Sequence, residues 1–440
     1  MRFHDMMKST VGEFGADTRG NFAVLTAAAI SVLAVSLGFA VDLGQLYSVK
    51  SGLRAALDAA ITSTARNLTT GKIEPKDAKA NFENFLYANT SAGFALDKLV
   101  LDALVVDQTA KTVRANAHVD ADLFFPVFGG SSIRRVAEES AALYSDKTIE
   151  VAMMLDITGS MRGQKIVDLQ SAAYGALDAF LKDQDAKKPR VRVAIVPYAD
   201  SVNTGALASN VYVESKFTDS EPPAVADPLA ASSASSGFDG CATERKGSQQ
   251  FTDASPTKAM VNRDYRLGFC PGAALKPLTA DSPALEKTIK SFKADGSTAG
   301  HIGIQWTWYM LSPKWANVLP TASAPLAYNP KKVAKYAILM TDGEFNTAFA
   351  GVPKSGKTGD QAGLSSAYAE HLCDEMKKDG IEIFTVGFML READAKAVLS
   401  DCASPNAKSV NHYYETTNGA ELNAAFLDIA RMIESLSITQ

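Results

Sequence analysis

IEVAMMLDITGSM, residues 149–161, decides the architecture of the larger part of this 440-residue chain. Its first seven residues are almost wholly apolar, as a strand covered by helices on both faces must be. Asp156, Thr158 and Ser160 then place oxygen-bearing side chains at alternate positions of a turn. VRVAIVPY (191–198), KYAILMT (335–341) and IEIFTVGF (381–388) read as strands of the same kind, separated by longer helix-compatible segments. That alternation predicts an α/β fold with a mainly parallel, doubly wound sheet and helices on both faces. Ligands of such sheets collect at the carboxyl ends of the strands.

The conspicuous polar residues fall at those ends. The first strand leads into Asp156, Thr158 and Ser160, and the strand at 335–341 leads into Asp342-Gly343-Glu344. A third loop, Gly296-Ser297-Thr298-Ala299-Gly300, precedes the helix-compatible HIGIQWTWYML and can bring Thr298, or its neighbour Ser297, to the same point. Hydroxyls with one or two carboxylates suit a hard divalent cation, Mg²⁺ first, with Mn²⁺ or Ca²⁺ compatible. Asp and Thr-Gly are also common turn and cap residues, so either motif alone means little. Their joint occurrence, each after an apolar strand, points to a metal site.

DITGSM after a strand, a Gly-Ser-Thr loop opening a helix and ILMTDGE after a later strand resemble the von Willebrand factor A family over about 149–440. The resemblance implies a metal-ion-dependent adhesion site (MIDAS) formed by Asp156, Thr158, Ser160, Thr298 and Asp342. Thr158 stands where Ser is more usual, and its hydroxyl keeps the oxygen donor. Thr158 and Ser160 would be direct ligands, Thr298 would switch between direct and distant, and the aspartates would act partly through water. The ion's open position would take a Glu or Asp carboxylate of a protein partner, and the last helix, about 419–435, is of the kind that in this family can slide on binding.

Near the N-terminus, FAVLTAAAISVLAVSLGFAV (22–41) is uncharged between Arg19 and Asp42. As a helix its twenty residues span about 30 Å, the thickness of a bilayer's hydrocarbon core. Gly38 and Ala40 loosely fit a signal-peptidase site, yet helix-compatible sequence continues to about Leu68, which favours one uncleaved helix. The order Arg-Gly, apolar span, Val-Asp-Leu-Gly, Leu-Tyr, Ala-Leu-Asp-Ala-Ala over about 19–65 resembles TadG-like proteins of Flp-type pilus assembly. Leu25 holds the place where related pilin precursors carry Glu after the cleavage-site Gly, which argues against prepilin processing. The expected organisation is a cytoplasmic 1–21, a transmembrane helix 22–41, and a module over 42–146, pilin-like or simply a spacer, with a helix at 75–87 and β-rich runs at 98–106 and 112–125. The von Willebrand factor A domain follows at 147–440 with an insertion at about 203–294.

The formal charge of −5 and scattered basic residues lack the concentrated positive field of nucleic-acid binding. Cys241, Cys270, Cys373 and Cys402 show no zinc spacing. Their even count fits two disulfides between sequence neighbours, Cys241 with Cys270 and Cys373 with Cys402, or else four free thiols. Disulfides would place the bulk of the chain in the periplasm of a Gram-negative bacterium, beyond the inner membrane. The insertion, with its Pro-, Ala- and Ser-rich EPPAVADPLAASSASSGFDG (221–240), reads as a partner-contacting flap or a tolerated excursion. The five histidines show no catalytic or ligand spacing, and His301 is expected to face solvent in the first turn of its helix. No enzyme is expected. The sequence reading is an envelope protein of a Tad-type pilus or adhesion system that binds an acidic protein partner through metal. Its alternatives are a pilin-like structural component and, more remotely, a metal-dependent hydrolase.

Overall fold

The computed structural model describes residues 19–89, 94–125, 132–182, 184, 188–215, 239–264, 266–352, 358–406 and 410–439. They form two compact units, one of residues up to Leu68 plus Ile73–Tyr144 and the other of Thr69–Lys72 plus Ser145 onward.

The first unit is built on α1 (Arg19–Thr69). Over its apolar first part Val24, Leu25, Ile30, Leu33 and Leu37 are exposed, each by 60% or more, and this helix is long and apolar enough to cross a membrane. Ser31 and Ser36 donate their hydroxyls to the carbonyls of Ala27 and Val32, so neither leaves an unmet polar group there. Farther along, Val49, Leu53, Leu57, Ile61 and Leu68 recur at spacings of four and seven, and all are buried. Their counterpart is a three-stranded antiparallel sheet, β1 (Leu99–Asp107), β2 (Thr112–Asp122) and β3 (Ile133–Leu143), with β2 central. Val113, Ala115, Ala117, Val119 and Ala121 alternate along β2 and form the buried face. Phe82 and Leu86 of α2 (Ala78–Ala88) close this core.

The second unit contains β4 (Thr148–Asp156), α3 (Gln164–Leu181), β5 (Val191–Tyr198), β6 (Val202–Asn203), β7 (Tyr212–Ser215), β8 (Cys241–Ala242), β9 (Val261–Asp264) and β10 (Lys276–Thr279). It continues with α4 (Ser282–Lys290), α5 (Gly300–Leu311), β11 (Val333–Thr341), α6 (Thr358–Lys378), β12 (Glu382–Phe388), α7 (Ala393–Cys402), β13 (Tyr413–Thr416) and α8 (Gly419–Thr439). Six strands make one sheet in the order β10-β5-β4-β11-β12-β13. Every pair is parallel except β10 with β5. Val151, Met153 and Leu155 of β4 pack with α3, α4 and α8, while Ala152 and Met154 pack with α5, α6 and α7. Both faces of the sheet are therefore covered, and its strands are apolar on both.

Two features differ from the sequence reading. The span 203–294 is not all insertion, since β10 is an edge strand of the main sheet and α4 packs beside it. These elements are short and half polar, so their periodicity was masked by the irregular chain before them. The rest of the described insertion covers the outer side of α5, all twelve of whose residues are buried. Arg245, with no exposure, stacks 4.9 Å from the Tyr309 ring and donates to the carbonyls of Thr252 and Ala254. Gln305 of α5 accepts from the Arg245 amide and donates to the Gln250 carbonyl. Of the Pro-, Ala- and Ser-rich stretch, all but residues 239 and 240 lie outside the described residues.

Both disulfides form with the pairing expected of sequence neighbours. Cys241 joins Cys270 with Cα atoms 5.7 Å apart, and Cys373 joins Cys402 at 5.1 Å, tying α6 to α7. At the amino end of the sheet, the buried Glu150 of β4 is matched by two cations. Lys335 of β11 and Arg192 of β5 both donate to it, and the Leu326 amide adds a third bond at 2.9 Å.

Candidate functional site

Asp156 is the last residue of β4, and its carboxylate meets donors from three segments. The Thr158 amide donates to Oδ1 at 2.9 Å, while the hydroxyls of Thr341 and Tyr198 donate to Oδ2 at 2.7 and 3.0 Å. Thr158 and Ser160 then approach each other, with hydroxyl oxygens 2.9 Å apart. Ser160 Oγ donates to Oδ1 of Asp342 at 2.5 Å, which brings the first loop and the loop after β11 together.

The third loop is held to both by its backbone. The amide of Gly159 donates to the Gly296 carbonyl at 2.9 Å, and that of Asp295 to the Ile157 carbonyl at 3.0 Å. A Cβ on Gly296, whose φ is +83°, would lie 2.3 Å from Asp200 Oδ2 and 2.4 Å from the Phe269 ring, so this crossing accepts only glycine. Asn346 takes the Thr298 amide on its side-chain oxygen and returns its own amide to the Thr298 carbonyl, both at 2.9 Å. Thr298 thereby lines a cavity of about 500 Å³ together with Ser160, Asp342, Lys165, Asn346 and Arg391. Ser297 is exposed, does not line that cavity, and donates its amide to Asp200, so the geometry distinguishes the two hydroxyl residues. Asp156 and Thr158 are buried next to these groups and do not line the cavity.

The electrostatics are unbalanced. Burial, reinforced by the neighbouring Asp342 carboxylate, pushes the Asp156 carboxyl up to about 6. Burial and Asp156 together push the Tyr198 phenol well above its ordinary range, so it remains a donor. Among the described residues, Lys165 in the first turn of α3 is the one cation paired with either carboxylate, 2.7 Å from Asp342 Oδ2. The hydrogen-bonded cluster is a set of hard oxygens around Asp156 and Asp342 with Lys165 as its paired cation, while Arg391, Glu344 and Glu392 line the cavity beyond it, and its donor chemistry fits a divalent cation.

Sequence reasoning missed several contributors. Tyr198 and Thr341 end their strands at the ligand-collecting edge and were findable there. Lys165, Asn346 and Arg391 carried no such signal, because only the folded sheet brings them to the cavity. Met389 lines the same cavity with a positive φ of 55°, a conformation that costs a non-glycine residue about 1 kcal/mol and often marks a functional rim. His301 corrects an expectation: it is 1% exposed rather than solvent-facing, because the insertion covers α5. Its Nδ1 meets Ser365 Oγ at 2.8 Å, and its Nε2 lies 3.5 Å from Glu244. The other grouping of metal-type donors, Asp239 beside Cys241 and Cys270, offers no thiolate because both sulfurs are in the disulfide.

Comparison with known proteins bears first on the N-terminal helix. Residues 20–67 match the family model Tad, described as Flp pilus-assembly TadE/G-like. Among curated proteins none matches the sequence. Among solved structures, the pilus adhesin SpaC from Lactobacillus rhamnosus GG in its open conformation aligns over 77% of this chain at 12% identity, with a TM-score of 0.39. This chain spans about a third of SpaC, 34% of its length. The vWF domain of the type V pili tip protein Mfa5 from Porphyromonas gingivalis aligns over 67% of this chain and 97% of its own, at 15% identity and a TM-score of 0.38. Proximal thread matrix protein 1 from the mussel byssus, with a zinc-occupied MIDAS motif, aligns over 65% of this chain and 46% of its own, at 13% identity and a TM-score of 0.32. At these TM-scores the superpositions are partial. The chain carries a TadE/G-like N-terminal segment.

Proposed function

We propose that this chain is a single-pass protein of the bacterial inner membrane, belonging to a Tad-type pilus assembly or adhesion system and holding most of its length in the periplasm. There a von Willebrand factor A domain binds a protein partner through a divalent cation. The observation that carries the reading is the meeting of three loops at the carboxyl edge of one parallel sheet, where Ser160 Oγ lies 2.5 Å from Asp342 and Thr298 lines the same cavity. Asp156, Thr158, Ser160, Thr298 and Asp342 would hold the ion, with Mg²⁺ the expected occupant and Mn²⁺ or Ca²⁺ compatible. Bound there, the ion would offset the two acids and offer a Lewis-acidic position to an incoming carboxylate. Arg391 lies on the cavity wall between acids, with Glu344 and Glu392 beside it, so the attraction for an acidic partner would come from the ion. The matched TadE/G-like segment supports the pilus context, and the two disulfides support an oxidising compartment.

One observation favours a metal-independent structural component instead: Lys165 already gives Asp342 a cation from the chain itself. Calorimetric titration of the full chain in detergent with Mg²⁺ and Mn²⁺ separates the readings. Binding that is lost in Asp342→Ala, together with capture of an envelope protein in Mg²⁺ but not in EDTA, supports the adhesion site. A folded chain that takes up neither ion at millimolar concentration overturns it.

A further inference from the structure

The residues that follow β2, Leu123–Phe125, reach the apolar helix. The Leu123 amide donates to the Ser132 carbonyl at 2.7 Å and closes the described neck of the hairpin. On the β2 side, the amides of Phe124 and Phe125 both turn back to the carboxylate of Asp42, Phe124 at 2.8 Å and Phe125 at 3.1 Å to its second oxygen. Asp42 is only 5% exposed and follows directly on the uncharged stretch 22–41. The Phe125 side chain lies over Gly38, where a Cβ would come within 3.0 Å of it. Gly38 is three residues before the end of the uncharged stretch, about 4.5 Å inside it along the helix. A loop distant in sequence is thus clamped at a level where the helix is still apolar.

Both side chains are nonetheless largely exposed, Phe124 by 69% and Phe125 by 51%. They join Leu37, Phe39, Val41 and Leu43, all exposed by about half or more, in one apolar belt around the helix. Tyr47, 76% exposed, follows just beyond it. Aromatic rings gather where hydrocarbon meets headgroups, and amides at that depth need partners inside the protein. Asp42 provides those partners to the two amides that the bilayer would otherwise leave unmet.

We propose that Phe124 and Phe125 form a second membrane contact, inserted in the outer interface of the bilayer beside the spanning helix, so that the small sheet is seated on the lipid surface. The occupant of this apolar patch is the phospholipid bilayer, as its continuity with the spanning segment requires. This rests on the membrane-spanning reading of residues 22–41. Two points of contact fix the sheet's orientation to the membrane, which a lone helix crossing would leave free to swivel.

All four cysteines are in disulfides, so one introduced thiol can carry a spin label in the full chain reconstituted into phosphatidylcholine vesicles. Labels at Phe124→Cys and Phe125→Cys are compared with labels at Leu33→Cys, within the span, and at Val105→Cys. Val105 pairs with Arg114, eight residues from the near end of β2 and so about 27 Å away. The expected result is a shallow bilayer position for residues 124 and 125, with collisions with a water-soluble nickel chelate several-fold rarer than at 105 and oxygen collisions more frequent. Equal chelate access at 124, 125 and 105 with a deeply buried label at 33 overturns the seat and leaves the span intact. Chelate access at 33 overturns the span itself, and the seat with it. Asp42→Asn, combined with the 124 label, is expected to raise chelate access at 124 while the 33 label stays buried. No change there overturns the clamp.

Discussion

Glu150 and Asp156 stand six residues apart on one strand, both with no exposed surface, and they are treated in opposite ways. Glu150 at the amino end meets the Lys335 ammonium, the Arg192 guanidinium and the Leu326 amide. Asp156 at the carboxyl end meets two hydroxyls and two amides, and the charge that bears on it is the like-charged Asp342. A buried acid needs a compensating charge or a proton. One end of the sheet is thus closed by the protein's own cations, and the other is left short of positive charge. A structural site is finished by the fold, whereas a binding site is finished by what it binds.

That contrast can be broken from either end. All three tryptophans, Trp306, Trp308 and Trp315, belong to the sheet-bearing unit, so their fluorescence reports its unfolding alone. Glu150→Gln leaves Lys335 and Arg192 buried without their anion and is expected to destabilise the unit by about 3–5 kcal/mol. A change under 1 kcal/mol in urea unfolding would show that the amino end is not closed by charge. In EDTA the acid at the other end should behave in the reverse sense. The folded state holds the Asp156 proton more tightly than the unfolded chain, with the carboxyl raised from 3.8 to about 6. Its contribution is therefore full below pH 4 and lost as pH rises through 6, by up to about 3 kcal/mol. Asp156→Asn should flatten that slope, and a wild-type stability profile already flat from pH 4 to 7 would contradict the charge shortage.

Adding Mg²⁺ at a hundred times its dissociation constant should stabilise the tryptophan-monitored transition by about 2.7 kcal/mol. Asp342→Ala should show no such response, and a retained shift would place the ion elsewhere. The smallest effect expected is from Lys165→Met. Removing a partly exposed ammonium beside Asp342 should tighten cation binding by about 1 kcal/mol or less, read by calorimetry. Weaker binding would instead make Lys165 a necessary part of the site.

Much of this was legible because buried parallel strands announce themselves as apolar runs. The four central strands lie within two residues of their sequence positions, and the motif residues at their ends lie where their loops must turn. The long helix was readable for the same reason: its apolar face recurs at helical spacing through Leu68. What escaped depends on contacts between distant segments. Lys165 has no marking in an ordinary amphipathic helix until β11 brings Asp342 within 2.7 Å of it. His301 looked solvent-facing because the cover over α5 is the insertion, whose Glu244 and Arg245 are buried against it. β10 was lost because four residues carry too little pattern to stand out from the irregular chain around them.

The burial of α5 has a further consequence for how the unit can change shape. Thr298 enters the cavity from the loop that opens α5, a helix packed on the sheet on one side and under the insertion on the other, with Cys241–Cys270 closing that cover. Such a helix cannot translate without unpacking on both of its sides. α3 and α8 lean on each other across the opposite face, and among the described residues both keep exposed positions along their length. The Thr298 side of the cavity is therefore the one gripped from two directions at once.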